Sequence, residues 1–228
     1  MKIEKLLLKQ EDEFENDHFS NSTETPIRDD AFDLSDEEKI NLIQKKIKDI
    51  LEILGMDLSD DSIKGTPMRV AKMYVKETFG GLHPKRKPKP STFNNKYEYG
   101  EMLVEKNINL YSTCEHHLLP IVGKAHVAYI SNGFVVGLSK INRIVDYFAK
   151  RPQVQERLTI QIVKELQKIL KTSNVACVID AKHLCINSRG IKDTESSTIT
   201  SEFGGVFKTP SKKQEFLDYI KLSTNFNE

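Results

Sequence analysis

The spacing of apolar residues changes character at one point in this 228-residue chain, the basic, proline-spaced stretch "HPKRKPKP" at 83–90. Before it, apolar residues recur at helical intervals. Ser35 and Glu38 have capping-box spacing, and Ile40, Ile43, Ile47, Ile50, Leu51 and Leu54 then share one helical face until Gly55. A second helix is predicted within "GTPMRVAKMYVKETFGG", with Thr66 as N-cap, Pro67 in the first turn, a buried stripe of Val70, Met73 and Tyr74, and Gly80 and Gly81 at its end. The stretch 83–90 can neither continue a helix nor occupy a central strand. It reads as a solvated linker in preference to a nucleic-acid patch, because no aromatic is interleaved with its cations.

Beyond residue 90 the period is two. Residues 103–112 and 121–130 are predicted strands, "SNG" at 131–133 turns the chain, and 134–138 returns as the second arm of a hairpin. Ser139 is placed to cap a helix carrying Ile141, Ile144, Val145 and Phe148. A longer helix follows with Leu158, Ile162, Leu166 and Ile169. Strand patterning resumes at 175–186 and 198–207, and a last short helix holds Phe216, Leu217 and Ile220. This order predicts an α+β fold built on an antiparallel sheet. Three segments result: a flexible acidic extension (1–34), a helical pair with its basic linker (35–90), and the remainder (91–228).

The net charge of +1 conceals an asymmetry. Residues 1–38 hold 13 acidic and 4 basic side chains, which leaves 20 acidic and 30 basic in the rest. A basic body behind an acidic tail points to an anionic ligand or to an ordinary solvated surface. The N-terminus carries only a three-leucine apolar run, and no later stretch is long enough to span a bilayer, so a cytoplasmic protein with no membrane partner is expected. An odd number of cysteines, three, argues against a disulfide framework.

Two of those cysteines sit in suggestive company. In "STCEHHLLP", Cys114 and His117 have a spacing at which one turn brings two side chains to one metal. In "DAKHLCINSRG", His183 and Cys185 are two apart in a predicted strand and so share a face. If the two segments lie close, Cys114, His117 and Cys185 form a set that favours zinc, Zn2+. Three ligands leave a position open for water, with His116 and His183 flanking as acid and base. A closed four-ligand structural site that includes His183 is the alternative. Cys177, eight residues before Cys185, reads as a small buried hydrophobe.

Around these half-sites, Lys140 and Arg143 lie three apart near the helix start at Ser139, which suits phosphate and equally an ordinary charged face. Glu156 in "QVQER" could accept paired hydrogen bonds from the N1–H and 2-amino edge of guanine. Surface pairing with Arg157 would explain it as well.

"CEHHLLP", "GLSKINRIV", "RPQVQERLT", "KHLC" followed by "SRG", and "TITSEFGGVF" resemble, in order and spacing, the zinc-dependent GTP cyclohydrolase I family. The likeness runs from about residue 36 to about 222 and is densest over 112–207. It implies Cys114, His117 and Cys185 as zinc ligands. It further implies a tunnelling fold, in which subunit sheets form an oligomeric barrel with helices outside, and a toroidal homodecamer with active sites between subunits. GTP would be the substrate, opened to formate and 7,8-dihydroneopterin triphosphate on the way to tetrahydrofolate. Read through the family, His116 and His183 move protons, Ser139 takes part in the ribose rearrangement, Glu156 with Gln155 recognises guanine, and Lys140, Arg143, Arg189 and Arg69 hold the triphosphate, Arg69 from a neighbouring chain. The cations then serve one small polyanion and no nucleic acid.

Overall fold

The computed structural model describes residues 22–89 and 91–223. Residues 1–21, the larger part of the expected extension, lie outside the described residues, as do 90 and 224–228.

Helix α1 (Asp36–Ile53) begins with the predicted capping box: Ser35 Oγ accepts from the Glu38 N–H while the Glu38 carboxylate accepts from the Ser35 N–H. Beyond it Gly55 takes φ +82°, the left-handed conformation at which glycine ends helices cheaply. Of the predicted apolar stripe only Ile40 is buried, and Ile50 and Leu54 face solvent. Helix α2 (Thr66–Met73) is capped by Gly65 instead of Thr66, which stands inside the first turn. Its buried residues are Pro67 and Ala71, whereas Val70 and Tyr74 are half-buried and Met73 is exposed. The chain then loosens into a π turn (Tyr74–Thr78) and a 3-10 turn (Gly80–Leu82). Gly81 donates its N–H to the Lys150 carbonyl at 2.8 Å, and a Cβ there would lie 1.9 Å from the Tyr147 carbonyl oxygen. No other residue fits so close an approach.

The basic linker is pinned down by its own cations. Arg86 donates to the Val75 carbonyl (2.7 Å) and pairs with Asp36, and Lys87 pairs with Glu165.

The main sheet has the order β5-β2-β3-β6-β7, from β2 (Met102–Cys114), β3 (Pro120–Ile130), β5 (Pro152–Gln153), β6 (Val175–His183) and β7 (Thr198–Phe203). All neighbours are antiparallel except the short β5, which runs parallel to the end of β2. The hairpin predicted at 131–133 does not form. β4 (Phe134–Val136) pairs with β1 (Thr92–Asn94) in a separate ribbon, because both edges of β3 are already taken by β2 and β6. The strand predicted to reach 186 stops at His183, where α5 (Leu184–Asn187) begins, and the one predicted to reach 207 stops at Phe203 before a 3-10 turn (Gly205–Lys208). Helix α3 (Leu138–Ala149) is capped by Gly137, with Ser139 one residue inside the first turn, so the expected Ser139 cap is corrected as well.

Helices α3 and α4 (Gln155–Leu170) cover one face of the sheet, with Ile141, Ile144, Leu158, Ile162 and Leu166 against Leu110, Ile121 and Ile179. Helix α6 (Pro210–Lys221) covers part of the other through Phe216, beside Phe207 and Val178. One irregularity decides what reaches the helix side. Between Glu105↔Val127 and Ile108↔Ala125, β2 spends one residue more than β3, and Asn107 takes φ +60°. A single extra residue inverts the in–out alternation of everything downstream. Ile108, Leu110, Ser112 and Cys114 therefore point toward α3 and α4. Among the described residues no helix is long and apolar enough to cross a membrane.

Candidate metal centre

Cys114 closes β2, and the chain turns back at once: the Leu118 N–H donates to the Cys114 carbonyl (2.9 Å) and the Cys114 N–H to the Leu119 carbonyl (2.8 Å). Leu118 accommodates the turn at φ +52°. This tight turn returns His117 to the cysteine. In the sheet Ser112 lies opposite Ile121 and Ile121 opposite His183, a row that brings the end of β6 alongside the end of β2. Cys185 follows in the first turn of α5, so it reaches the site from a helix and not, as expected, from the same strand face as His183.

The ligand atoms of Cys114, His117 and Cys185 all lie within 4.8 Å of one another. Two donors bound at 2.0–2.3 Å to one ion stand at most about 4.6 Å apart, so this group can close on a metal with little movement. Burial, with the Cys114 thiol beside it, pushes the Cys185 thiol up to about 11, while Arg189 pulls it down. Two thiolates cannot be packed side by side without a cation between them, and a soft divalent ion meets that need.

The three ligands open onto a cavity of about 620 Å3 that His116, Gln155, Glu156 and His183 also line. His116 Nδ1 lies 3.7 Å from Cys114 Sγ, and its Nε2 lies 3.8 Å from a carboxylate oxygen of Glu115. Glu115 in turn is held through both oxygens by Arg157, a guanidinium only 4% exposed. His183 is half-buried; burial lowers its pKa and the charge of Glu156 opposes that shift. Its Nε2 is 2.8 Å from Gln155 Oε1.

Ser22 and Thr23 border the same cavity, and Glu24 and Thr25 follow them. None of them is buried, yet the Ser22 carbonyl accepts from Arg157 Nε (3.0 Å), the Thr23 carbonyl from Gln161 Nε2 (3.2 Å) and Thr25 Oγ1 from Arg151 Nη1 (3.1 Å). This part of the polar extension, expected to be flexible, satisfies three buried donors.

Within one chain the structure thus gathers Cys114, His116, His117, Gln155, Glu156, His183 and Cys185. Ser139, Lys140, Arg143, Arg69 and Arg189 do not line this cavity. Arg143 borders a different cleft of about 330 Å3 with Lys76, Arg86 and Lys150, and Arg69 bonds to the Ser62 carbonyl and Thr66 Oγ1. Ser139 and Lys140 occupy the first turn of α3, and Arg189 follows α5 close enough to act on the Cys185 thiol.

The family model for GTP cyclohydrolase I matches residues 43–221. The chain belongs to the GTP cyclohydrolase I family. It is 72% identical to the GTP cyclohydrolase 1 of Flavobacterium johnsoniae over 94% of this chain and 96% of that protein. Identity is 50% with that of Salmonella gallinarum and 51% with that of Klebsiella pneumoniae, each over 87% of this chain and 90% of the relative. For a member of this family, sequence reasoning left three features of the site unassigned. Glu115 lies inside the quoted "CEHHLLP" motif, but its partner Arg157 is 42 residues away, beyond any spacing argument. Thr159 and Thr200 lie inside the quoted motifs "RPQVQERLT" and "TITSEFGGVF", but they are 41 residues apart and their meeting beside Gln155 follows from no spacing, and the contacts of Ser22 and Thr23 are made through backbone carbonyls.

Proposed function

We propose that the protein hydrolyses GTP to formate and 7,8-dihydroneopterin triphosphate, with a zinc ion held by Cys114, His117 and Cys185. The observation that carries this reading is the open three-ligand group facing a cavity that also holds Glu156, His116 and His183. When bound, zinc supplies Lewis acidity that makes hydroxide available near neutral pH.

The side chains then have separable tasks. Glu156, on the first turn of α4, accepts from the N1–H and 2-amino group of guanine and so sets the base against the metal end of the cavity. His116 delivers a proton to N7 as C8 is attacked, and Glu115, itself fixed by Arg157, steadies the imidazole. His183 carries protons as the ring opens and formate leaves. Ser139 serves the ribose rearrangement, and Lys140, Arg143 and Arg189, with Arg69 of a neighbouring subunit, bind the triphosphate.

Of these cations Lys140, Arg143 and Arg69 do not line the metal cavity of one chain, which supports a site completed between subunits of a tunnelling-fold barrel, a toroidal homodecamer. The exposed apolar stripe of α1 supports the same assembly. In this reading residues 91–228 form the catalytic part, 35–90 the helical pair and linker, and 1–34 an extension whose Ser22 and Thr23 reach the site. Free cysteines in a metal site suit a reducing compartment, and the cytoplasm is the place we assign.

Purified protein loaded with zinc should release formate from GTP and produce the dihydroneopterin chromophore, and both should vanish after chelation. Folded, zinc-loaded protein that yields neither product would overturn the proposal. Formate without the pterin would confine the activity to ring opening and overturn the role given to Ser139.

A further inference from the structure

The hydrogen bonds around Gln155 can be assigned one proton at a time. Its amide lies 1% exposed beneath the first turn of α4. Nε2 faces the Thr198 carbonyl at 2.8 Å and the Ile179 carbonyl at 3.2 Å. Carbonyl oxygens only accept, so this end of the side chain must be the NH2 group and the other end the oxygen.

The neighbouring hydroxyls agree. Thr159 Oγ1 donates to the backbone carbonyl of Gln155 at 2.7 Å, which uses its one proton. The 2.7 Å contact between Thr159 Oγ1 and Thr200 Oγ1 must then be donated by Thr200, which leaves the Thr200 oxygen to accept from Gln155 Nε2 at 3.2 Å. The two amide hydrogens are shared among three acceptors, the Thr198 and Ile179 carbonyls and Thr200 Oγ1, and a flipped amide would set its oxygen against two carbonyl oxygens. Gln155 Oε1 is therefore directed at His183 Nε2, 2.8 Å away, and that nitrogen must carry a hydrogen.

We propose that Gln155 is a positioning residue that fixes the orientation of the His183 ring, with the hydrogen on Nε2 directed at Gln155 Oε1. The proposal deepens the functional reading above and rests on His183 serving the reaction assigned there. An imidazole held in this way cannot turn without breaking its bond to Oε1, so its orientation in the cavity is set by the protein. It also commits both ends of the Gln155 amide to the protein, so the guanine edge falls to Glu156.

The test compares metal-loaded wild type with Gln155→Met and Gln155→Glu. Gln155→Met keeps the side-chain volume and removes the acceptor. Gln155→Glu keeps an acceptor, because one carboxyl oxygen must be protonated to face the Thr198 carbonyl while the other faces His183. We expect kcat for formate release to fall roughly 10–100-fold in Gln155→Met, the range typical of lost orienting partners, with KM for GTP little changed and part of the loss recovered in Gln155→Glu. A rise in KM and acceptance of ATP with kcat intact would show that the amide reads the base, and would overturn the proposal.

Should Gln155→Met fail to fold, a neutron structure of perdeuterated wild-type protein decides the matter by itself. Deuterium on His183 Nε2 facing Oε1 is expected, and a bare Nε2 with deuterium on Nδ1 alone would overturn it. Wild-type protein that releases no formate from GTP would refute the reaction without touching the neutron result, so the two failures are distinguishable.

Discussion

The backbone N–H of Asn107 donates to Nδ1 of His126 across 3.3 Å, at the bulge that turns Cys114 toward the helices. Asn107 has φ +60°, a conformation that asparagine and glycine tolerate and β-branched residues do not. Asn107→Val should lower the free energy of unfolding by about 1–2 kcal/mol, and Asn107→Gly should stay much nearer to wild type. Denaturant titration of the three proteins measures both. Equal losses for valine and glycine would show that the left-handed backbone is not what matters there.

The same pair predicts a pH effect. Burial lowers the His126 pKa; Asp180 raises it, and Lys106 and Lys124 lower it further. The unfolded chain then binds a proton that the folded one refuses, so the contribution of His126 is complete above an unfolded pKa of about 6.5 and is lost as pH falls from there toward the depressed folded value. His126→Gln keeps an acceptor for Asn107 and cannot titrate. Stability followed from pH 8 to 5 should decline less steeply in the variant. Identical slopes would mean that His126 keeps its ordinary pKa when folded.

Cys185→Ser and Cys177→Ala separate the proposed metal ligand from a core thiol. Cys177 is fully buried opposite Val127, and burial alone drives its thiol pKa upward. Cys185→Ser should lose both bound zinc and formate production, whereas Cys177→Ala should keep both at some cost in stability. Zinc quantified per subunit beside the formate assay distinguishes them. A Cys185→Ser protein with a full complement of metal would sink the ligand assignment.

Arg157 and Glu115 form an ion pair with the guanidinium 4% and the carboxylate side chain 19% exposed. Removing one partner strands the other, and Arg157→Met should cost about 3 kcal/mol. Pairing that change with Glu115→Gln should recover part of the loss, because the stranded carboxylate is gone. Strict additivity in the double-mutant cycle would show that the two side chains do not depend on each other.

How much of this was visible in the chain follows from the range of each interaction. The capping box of α1 was legible because Ser35 and Glu38 are three residues apart and cap through local backbone groups. The apolar faces of α3 and α4 were legible because 3.6-residue periodicity is also local. Cys114, His117 and Cys185 could be named as a set from residue chemistry and from family motifs. The reason given for pairing His183 with Cys185 was nevertheless wrong, because β6 ends between them.

Other features depend on partners that no short window contains. Whether 134–138 would return along β3 depended on β6, some 40 residues later, already occupying that edge. The Thr66 and Ser139 caps failed because both helices start earlier, with Gly65 and Gly137 in the N-cap positions at backbone angles that any residue can adopt. The bulge at Asn107 shows the division most plainly. Composition and spacing supplied the two thiols and the imidazole of the centre, but one extra residue in β2 sets the face on which Cys114 emerges. That residue is tolerated because His126, on the neighbouring strand, accepts the N–H it leaves unpaired.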